Sequence, residues 1–532
     1  MRKLRVTHLA ALGAVMLPLV VGAFVYQKHE TVASAQLLDE VLRITSSRYV
    51  DSVGPDALYE KAAKGLVKEL NDPYSVLFSK KEFDQFSQQT GGNYGGVGME
   101  IAPTNGFVTV QRVFPHTPAS AGGVMEGDRI LQVDTANARG WTTAQVSDRL
   151  KGDPGTTVNV KFGRTGVPEP IPMTFTRAIV HIPAVPYTLV FGNVGYIPLQ
   201  QFNGTATQEV TDAIRTVTKA GATRLVFDMR GNPGGFVDQA ISTSNLFLPK
   251  GAPILSVRGR TGEVEASSAT DAPLQPKIPM VVLLDGRTAS ASEIVAGALQ
   301  DHDRALIMGT TSFGKGLVQS LFRLDGGYAL KMTTAKWYTP SGRSIQKERK
   351  LLPDGEFVEV MPDSLETDSA RRARPKYKSD DGRIVYGGGG ITPDIIVKPD
   401  TLSTPEQKLL QSLAPKSQIF AQELQDYAGE MKGKVALGFA VTPQMRNAFI
   451  ARLRAKGVSV DSTLLAKGGN EEIDRLIGLR ITSMAFGDSA TKRKYLGDDN
   501  QLQRAIEVLK GVQSTKDLFA LAQETQGVAS MR

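Results

Sequence analysis

The sequence predicts a multidomain α/β protein. It has an α/β core carrying an inserted β-rich domain, a helical segment before it and a helical extension after it. Three observations carry that prediction. Apolar runs such as Arg224-Leu-Val-Phe-Asp228 and Met280-Val-Val-Leu-Leu284 alternate with helix-length stretches, the pattern of buried parallel strands. The Gly-rich run Gly91-Gly-Asn-Tyr-Gly-Gly-Val-Gly98 opens a block of short alternating segments separated by turn residues. Beyond Pro399 the apolar positions recur at helical spacing.

In chain order, Arg2, Lys3 and Arg5 precede an apolar run ending at Tyr26, and Ala33-Ser-Ala35 follows. A basic leader, an apolar stretch and a small-residue site direct a chain to export, so residues 1–35 read as a signal peptide or membrane anchor. The expected location is the periplasm or cell envelope. Residues 36–90 read as helices, with Leu37, Leu38, Val41, Leu42 and Ile44 on one apolar face. Leu58, Ala62, Leu66 and Leu70 mark a second face, stopped by Asn71-Asp-Pro73. The β-rich domain takes residues 91–178, with Phe107–Val113 and residues 157–162 as strands. The core takes residues 179–400, with strands at residues 194–199, 224–228, 280–284 and 305–308. Its helices are expected near residues 205–220, from Val237, and over 292–300. Residues 347–388 read as a solvated charged insertion holding Arg371, Arg372, Arg374, Lys376 and Lys378. In the extension, residues 401–532, Thr442-Pro443 starts one helix; Ile473, Leu476, Ile477 and Ile481 mark another, and Leu502, Ile506 and Leu509 a third. Packing or homo-oligomerisation is the expected use of the terminal helices.

Composition narrows the chemistry. The 532-residue chain carries a net charge of +8 and no cysteine. Its lysines and arginines are spread end to end, unlike the one-sided charge of a nucleic-acid binder. Without cysteine there is no thiol nucleophile, disulfide or thiolate metal site. No His/Glu ligand cluster or phosphate-loop motif is present, so no metal or cofactor is expected.

Two segments stand out: Thr288-Ala-Ser-Ala-Ser-Glu-Ile294 at a helix start, and Ser312-Phe-Gly-Lys-Gly-Leu-Val-Gln319 one helix and strand later. A serine hydroxyl needs a base to become a nucleophile. Of five histidines only His302 lies among the core motifs, in a polar turn expected to be exposed. Lys315, between Gly314 and Gly316 and near Phe313, Leu317 and Val318, is the other candidate. A lysine base must be neutral, so its ordinary pKa of about 10.4 must fall to about 7–8, which burial among apolar groups can cause. Gln319 can orient the amine without adding negative charge. Ser290, Ser292 and Thr288 all remain open as the nucleophile on these grounds. The turn Asp228-Met-Arg-Gly-Asn-Pro-Gly-Gly235, between strand and helix, can expose backbone N–H groups to a developing oxyanion.

Taken together, these segments resemble the C-terminal processing peptidases, or tail-specific proteases, serine proteases with a Ser/Lys dyad. The resemblance runs from about Leu37 to Val397. It also includes Asn71-Asp-Pro-Tyr-Ser75, Gly95-Gly-Val-Gly-Met99, Tyr338-Thr-Pro-Ser-Gly-Arg-Ser-Ile-Gln346 and Gly390-Ile-Thr-Pro-Asp-Ile395. It implies Ser290 as nucleophile, Lys315 as general base and Gln319 as the residue positioning that base. The implied oxyanion donors are the N–H groups of Gly235 and Ala291, with Glu293 in support. The β-rich domain then resembles a PDZ module, whose loop Gly96-Val-Gly-Met99 would present N–H groups to a peptide carboxylate. Expected partners are protein or peptide substrates with free, apolar C-termini, and an activating adaptor. Two alternatives use the same residues differently: a non-catalytic PDZ scaffold for envelope-protein tails, and a serine hydrolase with His302 as base. The insertion at 347–388 and the tail after Asp400 depart from the family pattern.

Overall fold

The computed structural model describes residues 36–104, 106–351, 357–359 and 368–521. The predicted export segment, residues 1–35, lies outside them. Among the described residues no helix is long and apolar enough to cross a membrane. The chain divides into two compact units, one of residues up to Phe83 with Gln319–Thr333, the other of Asp84–Val318 with Thr334 onward.

In the smaller unit, residues 36–48 form a helix followed by Pro55–Lys68. The helix stops before Asn71, whose φ of 53° ends the regular backbone, as Asn71-Asp-Pro73 predicts. The expected apolar faces are only partly used. Leu42, Leu58 and Val67 are buried, whereas Leu37, Leu38, Val41, Ile44, Leu66 and Leu70 are exposed. A strand the periodicity did not predict, Val76–Phe78, pairs antiparallel with Ala329–Lys331.

The larger unit holds the β-rich domain and the core. Strands Met99–Thr104, Phe107–Val113, Arg129–Val133, Thr157–Gly163 and Ile171–Thr176 form one antiparallel sheet in the order given. Helix Thr143–Leu150, started by a Thr142/Gln145 capping box, buries Val146 and Leu150 in its core. Met99–Thr104 lies at the end of the sheet, so one of its edges is unpaired within it.

The core sheet runs Leu189–Phe191, Val194–Pro198, Arg224–Asp228, Met280–Leu284, Leu306–Gly309, Ile395–Ile396, parallel throughout except for its first pair. Alternate side chains divide between its faces as strand geometry requires. Leu225, Phe227, Val282, Leu284 and Ile307 meet the helices Ala206–Lys219, Val237–Asn245 and Ala291–Asp301. Val226, Val281, Leu283, Leu306 and Met308 meet the end of the chain instead, where Leu502, Ala505, Ile506, Leu509, Leu518 and Phe519 are buried. The extension therefore completes the core, since a parallel sheet needs both faces covered. Its other helices, Pro443–Ala455 and Asn470–Lys494 among them, pack around Phe449, Leu453, Ile473, Ile477 and Ile481. These apolar faces are buried within the chain.

The charged insertion departs from the solvated loop expected of it. Strands Lys376–Lys378 and Ile384–Tyr386 form a hairpin, and Arg383 binds Asp303 at 2.5 Å and Asp394 at 2.6 Å. Arg374 donates to Gly389 O and Thr392 Oγ1, while Arg372, Lys376 and Lys378 remain exposed. Acids contributed by the core hold the hairpin down, a pairing that local sequence does not reveal.

Candidate active site

Three adjacent parallel strands end on one side of the core sheet, and each continues into a candidate catalytic segment. Asp228 leads to the Gly turn, Leu284 to Thr288–Ser290, and Gly309 to residues 310–316. The crevice beyond such carboxyl ends is where open α/β sheets bind ligands.

The three candidate hydroxyls differ in their surroundings. Thr288 is fully buried and its Oγ1 donates to Met229 O at 2.9 Å; Ser292 is fully buried and its Oγ donates to Asn232 O at 3.2 Å. Ser290 is half-buried and sits at the helix N-cap with φ 56° and ψ −115°. A non-glycine residue in that conformation carries strain of about 1–3 kcal/mol, held by its surroundings. Ala291 is the first helical residue, so its N–H has no acceptor within the helix.

The Gly turn lies directly against Ser290. A Cβ on Gly234 would stand 3.0 Å from Ser290 Cβ and 2.7 Å from Ala289 O; with φ 95°, only glycine fits. Asn232, completely buried and without an expected role, fixes this approach. Its Oδ1 accepts from Gly234 N, its Nδ2 donates to Leu199 O, and its backbone O accepts from Ala289 N. The N–H groups of Gly231, Asn232, Gly234 and Phe236 all have acceptors, whereas that of exposed Gly235 has none among the described residues.

Glu293, expected only in support, joins the other two segments. It is fully buried, and its Oε2 accepts from Ser290 N at 2.8 Å and from Lys315 N at 2.9 Å. Its Oε1 accepts from Ser312 Oγ at 2.5 Å and Gly314 N at 2.6 Å. The backbone nitrogens of Ser290 and Lys315 therefore lie no farther apart than those two Oε2 distances together. Burial raises the Glu293 carboxyl above the ordinary carboxylate range, against the lowering pull of Ser312 and the three N–H donors.

Lys315 is half-buried on a loop held at almost every backbone group. Trp337 Nε1 donates to Lys315 O, Trp337 N to Gly316 O, Lys347 N to Gly314 O, and Arg349 to Phe313 O. Gly316 N donates to Gln346 Oε1 at 2.8 Å. Trp337, Gln346 and Arg349 are thus supports the motif reading missed; only the position of Gln346 in the quoted Ser-Ile-Gln segment hinted at one. Gln319 belongs to the smaller unit, where its amide donates to Thr333 Oγ1 at 3.3 Å.

His302 does not fulfil its alternative role. It lies at the C-cap of the eleven-residue helix that Ser290 starts, about 18 Å away at 1.5 Å per residue. Both ring nitrogens are engaged, Nδ1 with Asp380 and Nε2 with Pro253 O, each at 2.7 Å. The ring is largely covered, not exposed as expected, because the docked insertion supplies Asp380.

In the β-rich domain Gly96, Val97, Gly98 and Met99 are all buried. Gly98 O accepts from Phe114 N, and Thr117 packs so close that a Cβ on Gly98 would meet its side chain at 2.3 Å. The Tyr94 ring lies over Gly96, where a Cβ would stand 2.7 Å from Cε2. Burial pushes the Tyr94 phenol up to about 12, although hydrogen bonding with the backbone of Met99 and Gly98 pulls it down. The loop expected to be open to a carboxylate is thus covered by this tyrosine.

An α/β core with its candidate catalytic segments at adjacent strand ends, joined to a PDZ-like sheet, fits a serine-type peptidase. The family models agree: peptidase family S41 matches residues 193–357, the PDZ domain residues 86–162, and the activating protease CtpB N-terminal domain residues 23–82. The carboxy-terminal-processing protease of Bartonella bacilliformis is 39% identical over 312 residues, covering 58% of this chain and 71% of that one. Carboxy-terminal processing protease CtpA of Bacillus subtilis is 32% identical over 311 residues, covering 58% and 66%. A solved photosystem II D1 C-terminal processing protease is 28% identical, covering 62% of this chain and 91% of that one, with a TM-score of 0.35. The chain belongs to the carboxy-terminal processing proteases of peptidase family S41.

Proposed function

We propose that this peptidase cleaves exported proteins at or near their C-termini with a Ser290/Lys315 dyad, and that its PDZ domain captures the substrate tail. Neutral Lys315 takes the Ser290 proton as Oγ attacks the peptide carbonyl. The N–H groups of Gly235 and Ala291 receive the oxyanion. Lys315 then passes the proton to the leaving amine, and water, deprotonated by the same lysine, hydrolyses the acyl-enzyme. The observation that carries this reading is the single Glu293 oxygen shared by the N–H groups of Ser290 and Lys315, beside a strained Ser290 backbone.

Tail capture rests on the unpaired edge of Met99–Thr104, to which an extended peptide can add as a strand. The carboxylate would displace Tyr94 from the Gly98 and Met99 amides. The N-terminal 35 residues would carry the enzyme to the envelope. The test is cleavage of a folded substrate with a free C-terminus. Ser290→Ala and Lys315→Ala should each abolish it, and amidating the substrate's C-terminus should raise KM. Wild-type turnover in either variant would refute the dyad.

A further inference from the structure

We infer that the C-terminal extension supplies a positioning residue for the reaction: Asp499, which holds the oxyanion turn in place through Arg230. The inference rests on Gly235 and Ala291 being the oxyanion donors. Arg230 lies in the Gly turn, two residues after strand Arg224–Asp228 ends, and all five of its guanidinium N–H groups are engaged. Nε and Nη2 donate to Asp228 at 2.9 and 2.6 Å. Nη1 and Nη2 donate to the two oxygens of Asp499, each at 2.8 Å, and Nη1 also to Gln501 Oε1 at 2.9 Å. The extension, which starts beyond the end of the S41 match at residue 357, therefore provides three of the five acceptors.

Asp499 is itself fixed. Lys492 Nζ binds its Oδ2, and its Oδ1 caps the helix Asn500–Lys510 by accepting from Leu502 N at 3.0 Å. Leu502, Ala505, Ile506 and Leu509 anchor that helix in the face of the core sheet. Burial alone would raise the Asp499 carboxyl, but Arg230 and Lys492 outweigh it and hold it below the usual range. On the other side of Arg230 the restraint continues toward the nucleophile. Gly231 N donates to Asp285 Oδ1 at 2.8 Å, and the same carboxylate oxygen accepts from Thr288 N, two residues before Ser290. A bidentate fork between two carboxylates fixes direction as well as distance. A shift of about 1 Å in catalytic groups can cost a hundredfold in rate.

The test compares Asp499→Asn with Leu502→Ala, which opens a cavity under the same helix but keeps the Arg230 contacts. Both are measured for kcat and KM on a fluorogenic peptide, for inhibition by a peptide boronate, and for thermal midpoint. Asp499→Asn should lower kcat roughly ten- to a hundredfold with KM within about twofold, and weaken the boronate in parallel. Leu502→Ala should lose as much thermal stability or more, yet keep kcat within about twofold. Unchanged kcat in Asp499→Asn, or an equal kcat loss in Leu502→Ala, overturns the inference. If Asp499→Asn does not fold, Arg230→Lys replaces it with the same expected kcat loss, because lysine keeps the charge but cannot fork two carboxylates. Ser290→Ala separates the two levels. If it is active, the oxyanion reading itself falls; if it is inert while Asp499→Asn is unaffected, only the positioning role falls.

Discussion

The two ends of the helix Ala291–Asp301 were both candidates for catalysis, and they are built in opposite ways. At its start, Ser290 has a strained backbone, Ala291 begins the helix with its N–H outside the helical ladder, and one buried carboxylate gathers donors from two loops. At its finish, His302 has both ring nitrogens satisfied and a backbone N–H that donates to Ala298 O. Strain and unmatched donors persist at one end because Glu293, Asn232 and the Gly turn enforce them. The other end holds as much polar chemistry, but all of it is already spent on the fold. Hydrogen-bond supply separates the site from the scaffold better than residue type does.

The largest effect should come from crowding the helix start. Gly234→Ala places a methyl 2.7 Å from Ala289 O and 2.9 Å from Ala291 N, so the turn must move. Activity should fall about a hundred- to a thousandfold, the range for losing an oxyanion donor, as measured by kcat/KM. Glu293→Gln comes next. An amide cannot accept at both of its ends, so either Ser290 and Lys315 or Ser312 and Gly314 would face an N–H group. A stability loss of about 1–3 kcal/mol in urea unfolding should accompany a tenfold or greater loss of kcat.

Ser290→Gly sharpens the comparison from the stability side. Glycine relieves the positive φ, so the inactive variant should unfold at least as late as wild type, and later than Ser290→Ala, by roughly 1 kcal/mol. The smallest effect belongs to the finish of the helix. His302→Ala should cost about 1 kcal/mol of stability through its lost contacts to Pro253 and Asp380, with kcat/KM within twofold of wild type.

Much of this arrangement was legible in the sequence, and the limits follow a pattern. Core strands such as Met280–Leu284 and the helix after Ser290 were readable because period and burial coincide there. Thr442 before Pro443 likewise announced a helix, and its Oγ1 accepts from Met445 N. The choice among Thr288, Ser290 and Ser292 was not readable, since it depends on whether Met229 O and Asn232 O occupy the other two hydroxyls. The charged insertion read as solvated because Asp303 and Asp394, its partners, lie far from Arg383 or outside its local pattern. Arg230 and Asp499 were invisible as a pair for the same reason, being 269 residues apart. Tyr94 over Gly96 was missed because a Gly-rich loop reads as open whatever ring covers it.

Ser290, among three neighbouring hydroxyls, is the proposed nucleophile, and Lys315 its proposed activator. Labelling the purified enzyme with a fluorophosphonate and locating the adduct by mass spectrometry tests both parts together. One phosphonylated site, Ser290, is expected, with no labelling in Lys315→Ala under the same conditions. An adduct on Thr288 or Ser292, or undiminished labelling of Ser290 without the lysine, would contradict this assignment.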